Sequence, residues 1–147
     1  FYEAVNGCSL GKLPVIFVIQ DNGYGISVPK RQQTANHYAS DNFASFPNLK
    51  VIHCDGKDVL DSVRALREAA EFAQRGAGCV LVHADCVRIG SHSNSDRHEL
   101  YRDEEELSAA AERDDGTRAF LAPKPLTAPP CCSTSVGPRS RIDWPQP

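Results

Sequence analysis

The sequence predicts an α/β fold: a mostly parallel sheet flanked by helices. Three observations carry that expectation. Residues 13–19 (LPVIFVI) form a near-continuous apolar run of strand length. Residues 49–54 form a second run, followed by an apolar repeat at helical spacing from Val59 to Ala73. A third run at residues 79–87 closes the series. Strand, helix and strand in that order make a right-handed βαβ crossover the default, because a twisted strand feeding a right-handed helix packs back onto its sheet only that way.

Residues 1–9 read as a helix. Tyr2, Val5 and Cys8 share a face at helical spacing, and Gly11 is placed to end it. The run at 13–19 suits a strand buried on both faces, and Gly11 and Pro14 bound it too tightly for a helix. Beyond Gln20 the chain turns polar through Asp21, Asn22, Gly23, Tyr24 and Gly25. Periodicity fades over residues 28–48. One short helix is expected at 35–46, anchored by Tyr38, Phe43 and Phe46, in a connector as readily solvated as substrate-facing.

The second strand turns at Asp55-Gly56, and Asp58 is placed to cap the helix that follows. Val59, Val63, Leu66, Ala70 and Ala73 are expected inside, with Asp61, Arg64, Glu68 and Glu71 solvated opposite and Gly76 at the end. After the third strand come a polar loop at 88–96 and a helix at 103–113 with an acidic first turn. Seven of the ten prolines fall within residues 123–147. Residues 1–119 are therefore expected to form one partial domain, and 120–147 a disordered or non-native tail in which Trp144 is incidental.

The 147 residues suffice for one real core. A net charge of −3 argues against a nucleic-acid role, and no apolar run reaches bilayer length. The sequence holds no Met, so it is expected not to be a full reading frame, and a targeting segment lost with the start would leave no trace. None of the six cysteines forms a Cys-x-x-Cys pair. Cys8, Cys54, Cys79 and Cys86 sit in or beside apolar runs as small hydrophobes, and the adjacent Cys131 and Cys132 suit neither a disulfide nor zinc. Reduced thiols in an intracellular protein are expected, cytoplasmic, or in the mitochondrial matrix of a eukaryote.

Three polar loops, at 21–25, 55–56 and 88–96, follow the three predicted strands. On a parallel sheet they share the rim where ligands bind. Asn22 offers an amide oxygen to a divalent cation, and its flanking glycines let backbone approach closely. Arg88, with the Ser93 and Ser95 hydroxyls, suits a phosphate. His92 can exchange a proton near neutral pH. Taken singly these signals have plain alternatives. Asn22 is ordinary turn chemistry, Arg88 pairs with Asp85 or Asp96, and His92 is a surface side chain.

Residues 20–28 resemble the second half of the thiamine-diphosphate signature, with Asp21-Asn22 at its closing pair. In order along the chain stand Phe-Tyr-Glu-Ala-Val-Asn at 1–6, Leu-Pro-Val-Ile-Phe-Val at 13–18 and Gly-Tyr-Gly-Ile-Ser at 23–27. Asp-Gly-x-Asp-Val follows at 55–59, then Arg-x-x-x-His-Ser, Ser-Asp and Tyr-Arg within 88–102. Over residues 1–118 these elements resemble the α subunit of the decarboxylating component of thiamine-diphosphate-dependent 2-oxo acid dehydrogenases. The wording at 35–56 and 84–96 is most similar to bacterial forms in which α and β parts are fused.

That resemblance implies a partial thiamine-diphosphate-binding fold and a Mg²⁺ held by the Asn22 side chain and the Tyr24 carbonyl. It implies cofactor contacts from Asn22, Gly23, Tyr24, Arg88, His92 and Ser93, with His92 catalytic in the reaction with a lipoyl group. Ser93 and Asp96 would belong to a loop that orders around the cofactor. The implied reaction decarboxylates a 2-oxo acid and passes the acyl group to lipoyl on an acyltransferase, with a β-type subunit or domain completing the site. The sequence departs from the pattern at several points. The Gly-Asp-Gly half, with its metal-binding Asp, would precede Phe1. Asp21 replaces the first Asn of the pair, Gly90 stands where many relatives have a further His, and the activating glutamate belongs to the β part. Past Thr117 the pattern gives way to the tail. The chain alone is expected to bind the cofactor poorly and turn over nothing. The rival expectation is a non-catalytic α/β remnant or pairing module without cofactor, and neither reading chooses among pyruvate, branched-chain and acetoin-type substrates.

Overall fold

Three parallel strands in the order β1-β5-β4 make the centre of the protein. They are β1 (Ile16–Asp21), β4 (Leu49–Asp55) and β5 (Cys79–Asp85). A small antiparallel ribbon, β2 (Tyr24–Gly25) with β3 (Val28–Pro29), follows β1. Helices α1 (Tyr2–Leu10), α2 (Val59–Gln74) and α3 (Glu104–Arg113) complete the regular elements. The computed structural model describes residues 1–113, so the expected tail at 120–147 and the domain boundary at 119 lie outside the described residues.

The sheet order corrects one expectation. β1, read as buried on both faces, is an edge strand with Val18 53% exposed. The strand sealed on both faces is β5, where every residue from Cys79 to Ala84 is buried. Both runs are apolar, but among the described residues only β5 has a strand on either side. Entry into β5 depends on Gly78 at φ +134°, where a Cβ would collide with the Asn48 backbone that accepts the Cys79 N–H at 3.0 Å.

Strand alternation divides the core in two. Val80, Val82 and Ala84 point with Ile52 and Cys54 toward Ala65 and Ala69 of α2. Leu81 points the other way, into Val5 of α1 and Phe43, ringed by Phe17, Ile19 and Val51. The α2 face is rotated from its expected position. Ala65, Ala69 and Ala73 are buried, whereas Val59, Val63 and Leu66 are each more than two-fifths exposed. Small side chains let the helix sit close to the sheet and leave the larger ones along its border.

Local signals transferred well. Asp58 caps α2, its Oδ1 accepting the N–H groups of Leu60 and Asp61 at 2.8 and 3.3 Å. Gly76 follows the helix in the left-handed region at φ +68°. Asp103 accepts the Glu106 N–H at 2.7 Å at the start of α3. Gly11 does cap α1, but the left-handed residue there is Lys12. The helix expected at 35–46 is instead a 3-10 turn at Ala39–Phe43, with Phe43 buried and Phe46 packed beside it. β5 ends two residues before the predicted Val87. Among the described residues, Cys8, Cys54, Cys79 and Cys86 are free, and no helix is long and apolar enough to cross a membrane.

Candidate functional site

Parallel pairing brings the ends of the three strands to one rim, as the loop positions predict. Asp21, Asp85 and Asp55 stand in register there, and the ladder runs on into the loops. The Cys86 N–H donates to the Asp21 carbonyl at 2.8 Å and the Gly56 N–H to the Asp85 carbonyl at 2.9 Å. The loops after β1 and β5 therefore leave the sheet side by side.

The loop after β1 is a tight double turn. Asp21 Oδ1 accepts the Gly23 N–H at 2.9 Å, and Asn22 Oδ1 accepts the Tyr24 N–H at 3.0 Å. Gly23 takes φ +79°, and its carbonyl accepts the Lys30 N–H at 2.7 Å. The Asn22 amide oxygen keeps a second lone pair. Burial pushes the Asp21 carboxyl up, but Lys30, the Gly23 N–H and His83 together outweigh it and hold the group below its ordinary range.

The Tyr24 ring lies under two guanidinium groups, Arg88 at 5.6 Å and Arg102 at 5.5 Å, and beside Tyr101. Its hydroxyl donates to Glu106 at 3.0 Å, and burial followed by that bond pushes the phenol up. Arg102 Nε also donates to Glu106 at 2.8 Å, and Arg102 Nη1 to the Arg88 carbonyl at 2.6 Å. α3 is thereby fastened to both loops.

Arg88 Nη2 donates to the Tyr101 hydroxyl at 2.7 Å and the Ile26 carbonyl at 2.9 Å. The simple pairing of Arg88 with an acid is thus replaced by a relay, because Tyr101 in turn donates to Asp96 at 2.7 Å. Arg88 Nε and Nη1 are buried without a partner among the described residues, an uncommon state for a guanidinium. Asn22 and Arg88 both line two open clefts, of about 460 and 380 Å³. Arg102 lines the first together with Asp103, Glu105 and Glu106, whereas the second carries Lys57 and Arg88 and, among the described residues, no acidic side chain. In that second cleft, buried donors beside a free amide lone pair fit a phosphate with a bound hard cation.

Asn22 and Arg88 meet along both clefts, and the Tyr24 ring lies against Arg88. Gly23 and Tyr24 line neither of these clefts, and nor do His92 and Ser93, which lie exposed in the loop beyond. The His92 N–H donates to Asp96 at 2.7 Å, and the Ser93 and Ser95 hydroxyls lie 3.3 Å apart. Asp21, His83 and Asp85 are near enough to one another to share an ion. The Lys30 ammonium already answers that charge, 2.8 Å from Asp21 and 3.7 Å from Asp85.

Sequence reasoning missed Lys30, His83, Arg102 and Glu106. The spacing of Arg102 and Glu106 on one turn was a usable sign of their pairing. Lys30 and His83 reach Asp21 only through the fold.

Residues 1–122 match the family described as dehydrogenase E1 component. The chain is 36% identical over 114 residues to the 2-oxoisovalerate dehydrogenase subunit alpha of Bacillus subtilis, covering 78% of this chain and 34% of that protein. It is 38% identical over 109 residues to the mitochondrial pyruvate dehydrogenase E1 component subunit alpha of Dictyostelium discoideum, covering 73% and 28%. It is 32% identical over 120 residues to the alpha subunit of the acetoin:2,6-dichlorophenolindophenol oxidoreductase of Bacillus subtilis, covering 82% and 35%. The chain spans about a third of the length of these curated relatives. Because the match runs through the sheet, its rim and both site loops, the chain belongs to the dehydrogenase E1 component family.

Proposed function

We propose that the chain is part of a 2-oxo acid dehydrogenase decarboxylating component and holds the diphosphate end of thiamine diphosphate through Mg²⁺. The observation that carries this reading is the meeting of Asn22 and Arg88 along two shared clefts, with two Arg88 nitrogens buried and unpartnered among the described residues. Asn22 offers its free amide lone pair and Tyr24 its carbonyl to the cation. Arg88 Nε and Nη1 donate to phosphate oxygens, where a charge-assisted bond satisfies both groups. Ser93 gives a further hydroxyl. His92 moves a proton as the acyl group passes to lipoyl. When bound, the cofactor supplies the electron sink for decarboxylation, while the protein binds and orients.

A β-type subunit or domain completes the cleft, and a lipoyl-bearing acyltransferase takes the product, in the cytoplasm or the mitochondrial matrix. The isolated chain binds cofactor weakly and is inert. The rival reading, a remnant or pairing module, draws on the engagement of Asn22 Oδ1 by Tyr24 and on the exposure of His92. Co-expression with its β-type partner, followed by assay against pyruvate, branched-chain 2-oxo acids and acetoin, separates the two. The proposal expects turnover of one substrate class, lost in Asn22→Ala and Arg88→Ala. A folded complex inert toward all of them with cofactor in excess supports the remnant.

A further inference from the structure

The double turn that presents Asn22 is anchored from behind by a polar cluster that the cofactor reading does not use. Asp21 is the last residue of β1, and its side chain is only 11% exposed. Three donors from three separate parts of the chain converge on its carboxylate. The Gly23 N–H comes from the turn itself at 2.9 Å, the Lys30 ammonium from the far end of the ribbon at 2.8 Å, and His83 Nε2 from the central strand at 3.0 Å. His83 is completely buried, and its Nδ1 has no partner among the described residues. The Nε2–H tautomer satisfies this ring, donating to Asp21 and leaving a bare lone pair at Nδ1.

Aromatic walls confine the cluster. The Tyr38 ring meets His83 edge-on at 5.1 Å and lies under the Lys30 ammonium at 5.5 Å, while His53 packs on Tyr38 at 4.2 Å and on His83 at 5.8 Å. A carboxylate accepts from all three donors at once. Lys30 and His83 share Oδ2 while Gly23 holds Oδ1, so an amide at position 21 would either set its NH₂ against the Lys30 ammonium and His83 or turn it on the Gly23 N–H. Successive side chains hold successive amides, Asp21 holding Gly23 and Asn22 holding Tyr24. The setting of the second bond depends on the first.

We infer that Asp21 is a positioning residue: gripped by Lys30 and His83, it sets the turn that aims the Asn22 side chain into the clefts and fixes where the Tyr24 carbonyl follows. The inference rests on the reading that these two groups hold the cation. Its test uses the full chain with Asp21→Asn, Lys30→Met and Lys30→Arg, read by amide hydrogen exchange. Loss of one charge-assisted bond is expected to speed exchange at Tyr24 and Lys30 about tenfold in Asp21→Asn and in Lys30→Met. The amides of Val80 and Val82 should keep their rates, and Lys30→Arg should restore the turn. Turn amides unchanged in both variants, or core amides accelerated equally, overturn the inference.

Calorimetry with Mg²⁺ and thiamine diphosphate on the complex with the β-type partner judges the cofactor reading separately. If the unaltered complex gives no heat while the turn loosens as described, the cofactor reading fails and the anchoring stands. If the unaltered complex binds and its Asp21→Asn variant binds equally well, the positioning role is refuted.

Discussion

The two loops that meet at the rim are built in opposite ways. The Asn22 turn is short, begins on a sheet strand, and is fixed by bonds to its own backbone, to the ribbon and to the central strand. The loop at 88–96 is longer. Arg88 is half-buried at its root, while His92 and Ser93 are exposed at its tip, held by the relay through Asp96 and Tyr101 and by the Asp96 N–H on the Ser93 carbonyl. Groups that must stand still for a metal gain from the first arrangement. Groups that must admit and release a ligand gain from the second, because loops of low local stability open without unfolding the core.

That contrast can be broken from several directions. Leu81→Ala removes the largest fully buried side chain among the described residues, in the core between the sheet, Val5 and Phe43, and should cost about 2–5 kcal/mol. Thermal unfolding should shift strongly, and the two loops should lose protection together. Tyr101→Phe deletes the hydroxyl that accepts from Arg88 and donates to Asp96, for about 1.5 kcal/mol. Hydrogen exchange should rise at His92 but not at Tyr24, and equal rises at both would erase the distinction. Asp58→Ala removes the α2 cap, worth about 1 kcal/mol, and should lower the melting midpoint while leaving both loops untouched.

Acidification is the mildest perturbation. The Asp21 and Asp96 carboxyls both lie below their ordinary range in the folded chain. At Asp21 burial is outweighed by Lys30, Gly23 and His83. At Asp96 the hydrogen bond from Tyr101 leads, followed by the His92 N–H. Their support is therefore present above the unfolded-state value, about pH 4, and is lost as pH falls through the lower folded values. Amide exchange followed through that range should show both loops loosening while the buried amides of β5 hold. Loosening on the alkaline side would contradict the assignment.

What could be read from the sequence was what depends on near neighbours. The Asp58 cap, the Gly76 stop, the acidic start of α3 and the strand-to-loop change at Asn22 are each set within a few residues. Whether an apolar run becomes a centre or an edge is set by pairing far along the chain, and this is why β1 and β5 looked alike. The α2 face was misplaced because alanine carries little hydrophobic signal, although its small size is what lets the helix approach the sheet. The connector at 28–48 showed no period because it forms a two-residue ribbon and 3-10 turns. In the site, Asn22 and Arg88 were legible from chemistry and motif. Lys30 and His83, which hold Asp21, are joined only when β5 is laid beside β1.

The central claim is that a hard cation with its diphosphate settles between Asn22, Tyr24 and Arg88. Paramagnetic Mn²⁺ added with thiamine diphosphate to the isotope-labelled chain tests this even where affinity is low, because line broadening reports proximity. The account predicts early broadening of the Asn22 side-chain amide and the Tyr24 and Gly25 backbone signals, with the Arg88 guanidinium close behind. Broadening that begins instead at Glu104, Glu105 and Glu106, or that spares Asn22 altogether, would contradict it.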